Sequence, residues 1–159
     1  MDFHIRDARK NDAEQMLDLI KELADFEKEG HEVELTAADL LKDGFESNPA
    51  FKCFVAEKED KIAGIAIVYM RYSTWKGKIL HLEDLVVSKN YRGQGIGTSL
   101  LDEVVKYGKQ LGVKRVNWEV LDWNEPAINF YEKKGAKVLR DWNVVQLNEQ
   151  GINDYLAKL

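Results

Sequence analysis

The chain has 159 residues, of which 45% are hydrophobic and 32% charged, and its formal net charge is −5. This composition is typical of one globular domain over residues 1–159, and a single cysteine, Cys53, excludes a disulfide framework. The acidic balance argues against nucleic-acid binding, and the lack of a long apolar run argues against a membrane span. Asp2, Arg6 and Asp7 interrupt any signal-peptide pattern. We therefore expect a soluble protein of the cytoplasm.

The first half of the chain predicts two helices and four strands. A short strand over residues 3–6 precedes a helix that Asn11 or Asp12 can cap. Apolar residues recur in this helix at the spacing of one helical face, namely Met16, Leu19, Ile20 and Leu23. Thr36 can cap a second helix, which ends near Asn48-Pro49. Three strands follow over residues 51–57, 62–71 and 78–88, and Cys53 is expected to be a packed core thiol within the first of them.

The second half predicts a βαβ crossover and a closing pair of strands. A helix over residues 94–111 ends at Gly112, and a strand over residues 113–121 follows it. A short helix over residues 124–134 is closed by Gly135, and two strands lie around residues 137–139 and 142–147. The order β-α-α-β-β-β-α-β-α-β-β predicts a mixed α/β sheet with helices on both faces.

Charge is distributed unevenly along the chain. Residues 18–46 contain ten acidic side chains and three lysines, whereas residues 89–115 are mainly basic. Solvated helix faces account for part of this pattern. The remainder predicts one region that attracts cations and another that tolerates a polyanion.

A glycine-rich turn joins the strand over residues 78–88 to the next helix. Arg92, Gly93, Gly95 and Gly97 lie in it, and closely spaced glycines let backbone N–H groups and a helix N-terminus approach an anion. The turn is not a Walker loop, because no Lys-Ser/Thr follows the last glycine. Thr98 stands where a dinucleotide fingerprint needs its third glycine. The pattern therefore indicates a diphosphate site, with a purely structural turn as the alternative.

Two adjacent carboxylates, Glu83 and Asp84, lie in the strand just before this turn. Strict alternation would place His81, Glu83, Leu85 and Val87 on one face and Leu82, Asp84 and Val86 on the other. Both faces are mostly apolar, so carboxylates there are costly unless they are paired or used. We expect a functional role, with structural hydrogen bonding as the alternative for Asp84.

The third motif runs from Leu121 to Tyr131. Asn124 or Glu125 can cap a helix with Pro126 in its first turn. Ala127, Ile128 and Tyr131 share one face of this helix. From these residues alone, Tyr131 is expected to be a core aromatic.

The spacing Arg92-x-x-Gly95-x-Gly97 resembles the acetyl-CoA motif of the GNAT N-acetyltransferase superfamily. Residues 72–78, 82–84 and 123–131 together resemble its diamine (spermidine/spermine-type) and thialysine acetyltransferases, and residues 19–27 and 40–45 extend the similarity over nearly the whole chain. The resemblance implies a GNAT-like fold, acetyl-CoA as cosubstrate, and direct acetyl transfer to a primary amine of a small cationic molecule. It also implies a homodimer.

The resemblance assigns roles by position. The pantetheine arm and thioester would be held by backbone groups of Leu85, Val86 and Val87, and by the helix start at Asn124, Pro126 and Ala127. The diphosphate would be bound by Arg92, Gly93, Gln94, Gly95, Ile96, Gly97 and Thr98. Glu83 would be the general base, through water, and Tyr131 the acid that protonates the thiolate. The amine would be contacted by Phe26, Glu27, Glu83 and Asp84, with Trp75 as an aromatic wall. Arg140 departs from an acidic position of the polyamine enzymes.

The proposed chemistry depends on pKa matching. An alkylammonium (pKa about 10.4) and a carboxylic acid (about 4.3) differ by about 6 units, so we expect burial and Asp84 to raise the pKa of Glu83. His81 shares its predicted face and is the rival base. No metal is called for, because His4, His31 and His81 are scattered. A protein acetyltransferase, a non-catalytic CoA-binding module and a nucleotide-binding fold remain alternatives.

Overall fold

A computed structural model describes residues 2–159 of the chain. These residues form two compact units, the first ending at Glu119 and the second running from Val120 to Leu159. The single domain expected over residues 1–159 stays a prediction. Within residues 2–159, no helix combines the length and the apolar character needed to cross a lipid bilayer.

The first unit is built on a five-stranded sheet in the spatial order β1-β2-β3-β4-β5. Its strands are β1 (His4–Asp7), β2 (Lys52–Lys58), β3 (Lys61–Ser73), β4 (Gly77–Val87) and β5 (Val116–Asn117). Strands β1 to β4 pair antiparallel, whereas β5 runs parallel to β4 after a crossover. The mixed α/β sheet expected from the sequence is confirmed.

Helices α1 (Ala13–Phe26) and α2 (Ala37–Phe45) cover one face of this sheet. Their apolar stripes share a core with β2 and β3, whose buried members include Met16, Leu19, Leu40, Cys53, Ile65 and Ile67. The predicted cap of α2 is confirmed, because the Thr36 hydroxyl accepts a hydrogen bond from the Asp39 N–H at 3.2 Å. Burial raises the pKa of the Cys53 thiol, so this group is a protonated core residue.

Helix α3 (Ile96–Gln110) covers the opposite face. A Cβ at Gly64 of β3 would lie 3.1 Å from side-chain atoms of Ile96 and Leu100, so the helix approaches this strand closely. The rings of Phe54 in β2 and Tyr107 in α3 meet edge to face, with centroids 5.5 Å apart. Helices therefore lie on both faces of the sheet, as predicted.

Strand β5 is shorter than the sequence predicts. Its expected range was residues 113–121, but only Val116 and Asn117 pair with β4, opposite Leu80 and His81. Beyond His81, β4 contains a bulge, and a bulged strand bends away from a straight neighbour. The two strands therefore cannot stay within hydrogen-bonding distance over a longer stretch.

The end of the chain differs most from the prediction. Helix α4 (Glu125–Lys133) forms as expected, but the strands predicted around residues 137–139 and 142–147 are wrong. A strand needs a partner edge, and no described residue pairs with this stretch, in which Val145 is 91% exposed.

A helix that the sequence reading missed, α5 (Glu149–Leu156), follows instead. The Asn148 side chain caps it by accepting a hydrogen bond from the Gly151 N–H at 2.8 Å. The signal was present in the sequence, since Asn is a favoured cap and Ile152, Tyr155 and Leu156 recur at helical spacing.

Candidate active site

A β-bulge in β4 organises the site. Ile67 of β3 lies opposite Asp84 and Val68 lies opposite Leu82, so Glu83 is the extra residue. Residues opposite one another in an antiparallel pair share a face. Asp84 therefore lies on the α1/α2 face with Ile67, whereas Leu82 lies on the α3 face with Val68.

The bulge corrects the predicted alternation. The sequence placed Asp84 with Leu82, and Leu85 and Val87 with His81. In the structure the extra residue reverses the pattern after Glu83, so Leu85 and Val87 turn toward α3, and a Cβ at Gly97 would lie 3.5 Å from Val87. Both adjacent carboxylates consequently lie on one face, together with His81.

Glu83 is held by two neighbours on that face. Its Oε2 lies 3.3 Å from Nε2 of His81, and the Tyr69 hydroxyl donates a hydrogen bond to the carboxylate. Burial, followed by the negative charge of Glu83, raises the pKa of Tyr69, so its hydroxyl stays a donor. The Glu83 side chain is 54% exposed and remains open to an approaching molecule.

Asp84 is the carboxyl that the fold desolvates. Burial, followed by the charges of Glu83 and Glu27, raises the pKa of Asp84 to about 6. Burial also raises the pKa of Glu27, which ends α1. The expected desolvation of Glu83 is therefore wrong, because the bulge turns its side chain outward and buries the next residue. Three carboxylates meet here, and a cationic group would relieve their repulsion.

Replacing Asp84 by Asn will stabilise the protein at pH 8 and not at pH 4. The folded-state pKa of about 6 lies above the ordinary value of 3.8, so the penalty that the ionised carboxylate imposes on folding grows between pH 3.8 and pH 6, is complete above pH 6 and is largely absent at pH 4. We expect the free energy of unfolding to rise on the order of 1–3 kcal/mol at pH 8. Urea denaturation at both pH values measures it, with Asp18→Asn on the exposed side of α1 as the control. An equal gain at both pH values would contradict this account of Asp84.

The edge of β4 beyond His81 has no neighbouring strand among residues 2–159, and of its backbone groups the Val87 carbonyl accepts a hydrogen bond from Arg92. Among residues 2–159, no strand pairs with Leu85, Val86 or Val87 on the side where β5 lies. An open strand edge can hydrogen-bond an extended ligand through its N–H and C=O groups. This edge starts at the carboxylates and leads to the glycine-rich turn.

The glycine-rich turn has the geometry of an anion cradle. Gly93 (φ 75°) and Gly95 (φ 81°) adopt left-handed conformations, and apart from the adjacent residues no heavy atom of residues 2–159 lies within 4 Å of a Cβ built on either. No side chain in the described part of the chain caps α3, so the N–H groups of Ile96, Gly97 and Thr98 are available at the positive end of the helix. Gln94 lies at the rim, where its Oε1 accepts a hydrogen bond from Lys58 at 2.6 Å. The turn therefore fits a diphosphate.

Glu22 ties this turn to α1, a contact that the sequence reading missed. Its carboxylate accepts a hydrogen bond from the Lys89 N–H at 2.7 Å and lies 3.9 Å from Nη2 of Arg92. The Arg92 guanidinium stands 5.8 Å from the centroid of the Phe26 ring and donates to the Val87 carbonyl at 3.2 Å. The only available signal was the helical spacing of Glu22 and Phe26.

Trp75 is not brought to the carboxylates within the first unit. It lies in the turn between β3 and β4, is 78% exposed, and its N–H donates to the Ser73 hydroxyl at 3.2 Å. In β4, His81 lies four residues after Gly77, which is about 13 Å along the strand, and the carboxylates follow His81. Arg71, Tyr72 and Lys76 share this exposed end of the hairpin.

The remaining predicted residues belong to the second unit. Asn124 caps α4 by accepting a hydrogen bond from the Ala127 N–H at 3.3 Å, and Pro126 lies in the first turn. Tyr131 is partly buried, with its ring centroid 5.4 Å from that of Phe130. The cap and proline predictions for this helix are confirmed.

Comparison with known proteins connects these features. The sequence profile of the acetyltransferase (GNAT) family matches residues 14–136. Thialysine N-epsilon-acetyltransferase of Mus musculus is 39% identical over 86% of this chain and 85% of that protein. Spermidine/spermine N(1)-acetyltransferase-like protein 1 of Homo sapiens is 38% identical over 96% of this chain, which spans 23% of that protein. An integron cassette protein from the mobile metagenome of V. cholerae superposes with a TM-score of 0.80 at 24% identity, over 100% and 99% of the two chains, and supports the fold alone.

Proposed function

Because this chain belongs to the GNAT acetyltransferase family, we propose that it transfers the acetyl group of acetyl-CoA directly to a primary amine of a small cationic substrate. The observation that carries this proposal is the concentration of negative charge at the bulge of β4, where Glu83 and Asp84 are adjacent and the charge of Glu27 also acts on Asp84. These carboxylates lie where an open strand edge begins and leads to an anion cradle. A cation and a phosphorylated cosubstrate would thus meet at one point of the sheet.

The chain offers groups that fit acetyl-CoA along this path. The coenzyme supplies the acetyl group as an activated thioester. Gly93, Gly95 and the N–H groups that begin α3 would bind its diphosphate, together with Arg92. Backbone groups of Leu85, Val86 and Val87 would hold the pantetheine arm and donate to the thioester carbonyl, a contribution that is commonly large in acyl transfer. Asn124, Pro126 and Ala127 would line the arm.

Proton transfers are assigned to two side chains. Glu83 would accept the proton of the ammonium group, directly or through a water, because its carboxylate is half exposed and fixed by Tyr69 and His81. Tyr131 would protonate the leaving thiolate. A phenol near pKa 10 and a thiol near 8.5 differ by only about 1.5 units, which makes this transfer feasible.

The substrate class follows from charge. Burial of Asp84 beside Glu83, with the charge of Glu27 also acting on it, favours a ligand with a positive charge. One relative is named a thialysine N-epsilon-acetyltransferase and another a protein like spermidine/spermine N(1)-acetyltransferase, so we propose a diamine or a thialysine-like amino acid as the substrate. Phe26 would contribute an apolar wall. The expected homodimer and the cytoplasmic location remain predictions.

Thiol release from acetyl-CoA against a panel of amines tests the function. The panel should contain short diamines, spermidine, thialysine, lysine and a lysine-containing peptide. Saturable release with a short amine supports the proposal, whereas a preference for the peptide supports a protein acetyltransferase. If CoA binds in a calorimeter and every amine is inert, the chain is a CoA-binding module. NAD binding without CoA binding would favour a nucleotide-binding fold.

Removing the Glu22 carboxylate will weaken coenzyme binding. Glu22→Ala deletes the acceptor of the Lys89 N–H and the partner of Arg92, so the diphosphate turn loses its link to α1. A hydrogen bond to a charged group contributes about 1.5–3 kcal/mol, and we expect the Kd for CoA to rise about 10- to 100-fold. Calorimetry measures it.

Two variants control this measurement. Glu22→Gln keeps an oxygen that can accept from the Lys89 N–H, so its Kd should lie between the wild type and Glu22→Ala. Asp18→Ala removes a carboxylate one turn earlier, on an exposed position of α1, and should bind CoA normally. An unchanged Kd in Glu22→Ala would show that the turn holds its shape without α1.

A further inference from the structure

His81 is too deeply buried to meet a substrate. It is 5% exposed, and its ring packs against Tyr69 with centroids 5.0 Å apart. Its Nε2 nevertheless lies 3.3 Å from Oε2 of the half-exposed Glu83. The imidazole thus stands behind the carboxylate that faces the amine. This position excludes His81 as a base that touches the amine and leaves it a role through Glu83.

The other side of the imidazole ends at two unsatisfied atoms. Nδ1 of His81 and Oδ1 of Asn117 are both buried and have no hydrogen-bond partner among the described residues. His81 and Asn117 are opposite each other in the β4–β5 pair, at its last paired position. Buried polar atoms are nearly always satisfied, and an ordered water is the usual partner when no protein group is present. A water between them would satisfy both.

We propose that His81 is a proton relay, which carries the proton collected by Glu83 inward to a water held by Asn117. This inference rests on the proposed acetyltransferase function and extends it. The ammonium N–H bond breaks as a proton binds a Glu83 oxygen, and that O–H bond then breaks as the proton binds Nε2. The proton on Nδ1 passes to the water and leaves to solvent where β4 and β5 separate. Glu83 is again a carboxylate, and the imidazole is again neutral in its other tautomer. A rotation of the ring about χ2 takes Nε2 away from Glu83, Nε2 then gives its proton to water while Nδ1 takes one from water, and the ring rotates back.

The same geometry gives Tyr69 and Asn117 roles in the relay. The Tyr69 hydroxyl donates to Glu83 and fixes its orientation, while the Tyr69 ring fixes the plane of the imidazole. Oδ1 of Asn117 is an acceptor only, so it suits a water that has accepted a proton from Nδ1. Imidazole is the side chain able to accept at one nitrogen and donate at the other near neutral pH.

The test separates proton transfer from packing. In His81→Ala we expect kcat for acetyl transfer to fall about 10- to 100-fold, with the Kd for CoA and the KM for the amine within twofold of the wild type. Added imidazole should restore at least half of the lost kcat. Pyrazole has nearly the same shape but is far less basic, and it should restore none. Equal rescue by both compounds would show that His81 only fills space, and would overturn the relay.

Three further measurements do not depend on rescue. His81→Gln keeps a polar group beside Glu83 but cannot carry a proton, so its kcat should fall as in His81→Ala, and full activity would contradict the relay. In a Glu83→Gln background, His81→Gln should lower kcat little further, since both residues act in one proton path. The ¹⁵N shifts of His81 in the wild type and in Glu83→Gln should differ, which reports the contact without turnover.

The outcomes also distinguish the relay from the function on which it rests. If the wild type transfers acetyl to no amine, the proposed function fails. If the wild type is active and His81→Gln is equally active, the function stands and the relay alone is wrong. Thermal unfolding of each variant, followed by circular dichroism, identifies any that fail to fold. For such a variant, Asn117→Ala takes its place: its kcat should fall while its Kd for CoA stays within twofold of the wild type, and full activity in a folded Asn117→Ala would overturn the relay.

Discussion

Replacing Glu83 by Gln will lower kcat for acetyl transfer by about 10²–10⁴-fold, the range of a lost general base. Gln keeps the size of the side chain and an oxygen that can accept the Tyr69 hydrogen bond, but it cannot take a proton from the ammonium group. The Kd for CoA should change less than threefold, because the glycine turn and the edge of β4 are untouched. Steady-state thiol release and calorimetry measure the two quantities separately.

The matched control is Glu103→Gln in α3, which removes the same charge from a residue that, within residues 2–159, forms an ion pair with Lys106. It should retain full turnover. If Glu83→Gln keeps more than a third of the wild-type kcat, the general base is a different residue. Asp84 would then be the first candidate, since its pKa of about 6 already suits proton exchange near neutral pH.

Replacing Tyr131 by Phe will also lower kcat by about 10²–10⁴-fold if the phenol protonates the thiolate. The loss should depend on the leaving group. With an acetyl thioester of an aromatic thiol of low pKa, the thiolate leaves without a proton, and the variant should approach the wild-type rate. Thiol release from both donors at a saturating amine concentration provides the comparison.

Tyr91→Phe is the control, because it removes a phenol from the turn that follows β4. It should leave both rates unchanged. If Tyr131→Phe lowers the rate equally with both donors, the hydroxyl acts in binding or packing and not as an acid. That result would favour a role for Tyr131 as an aromatic residue of the core, which is what its helical spacing by itself indicates.

Much of the fold could be read from local patterns, because each pattern has a local cause. The α2 cap at Thr36, the proline in the first turn of α4 and the apolar stripe of α1 all depend on residues within one or two turns. Four antiparallel strands and the crossover through α3 follow from alternation, turns and length. The family resemblance rested on several such motifs in order, and it is confirmed.

The site was less predictable, because its geometry depends on pairing between distant residues. One extra residue at Glu83 reverses the faces of Asp84 and Leu85, and a bulge leaves no mark in the alternation of a strand that is apolar on both faces. The contact of Glu22 with Lys89 joins residues 67 positions apart. Helix α5 was missed for a different reason. Its cap at Asn148 can be recognised in the sequence, but the alternation of apolar and polar residues before it favoured strands.

Because Cys53 is buried, the folded protein adds no thiol signal of its own to the thiol-release assay. Its thiol is 4% exposed and burial raises its pKa, so a disulfide reagent meets no reactive thiolate on the folded chain. Colour that develops during turnover therefore comes from released coenzyme. Denaturation uncovers one equivalent per chain, so the same reagent also counts unfolded molecules.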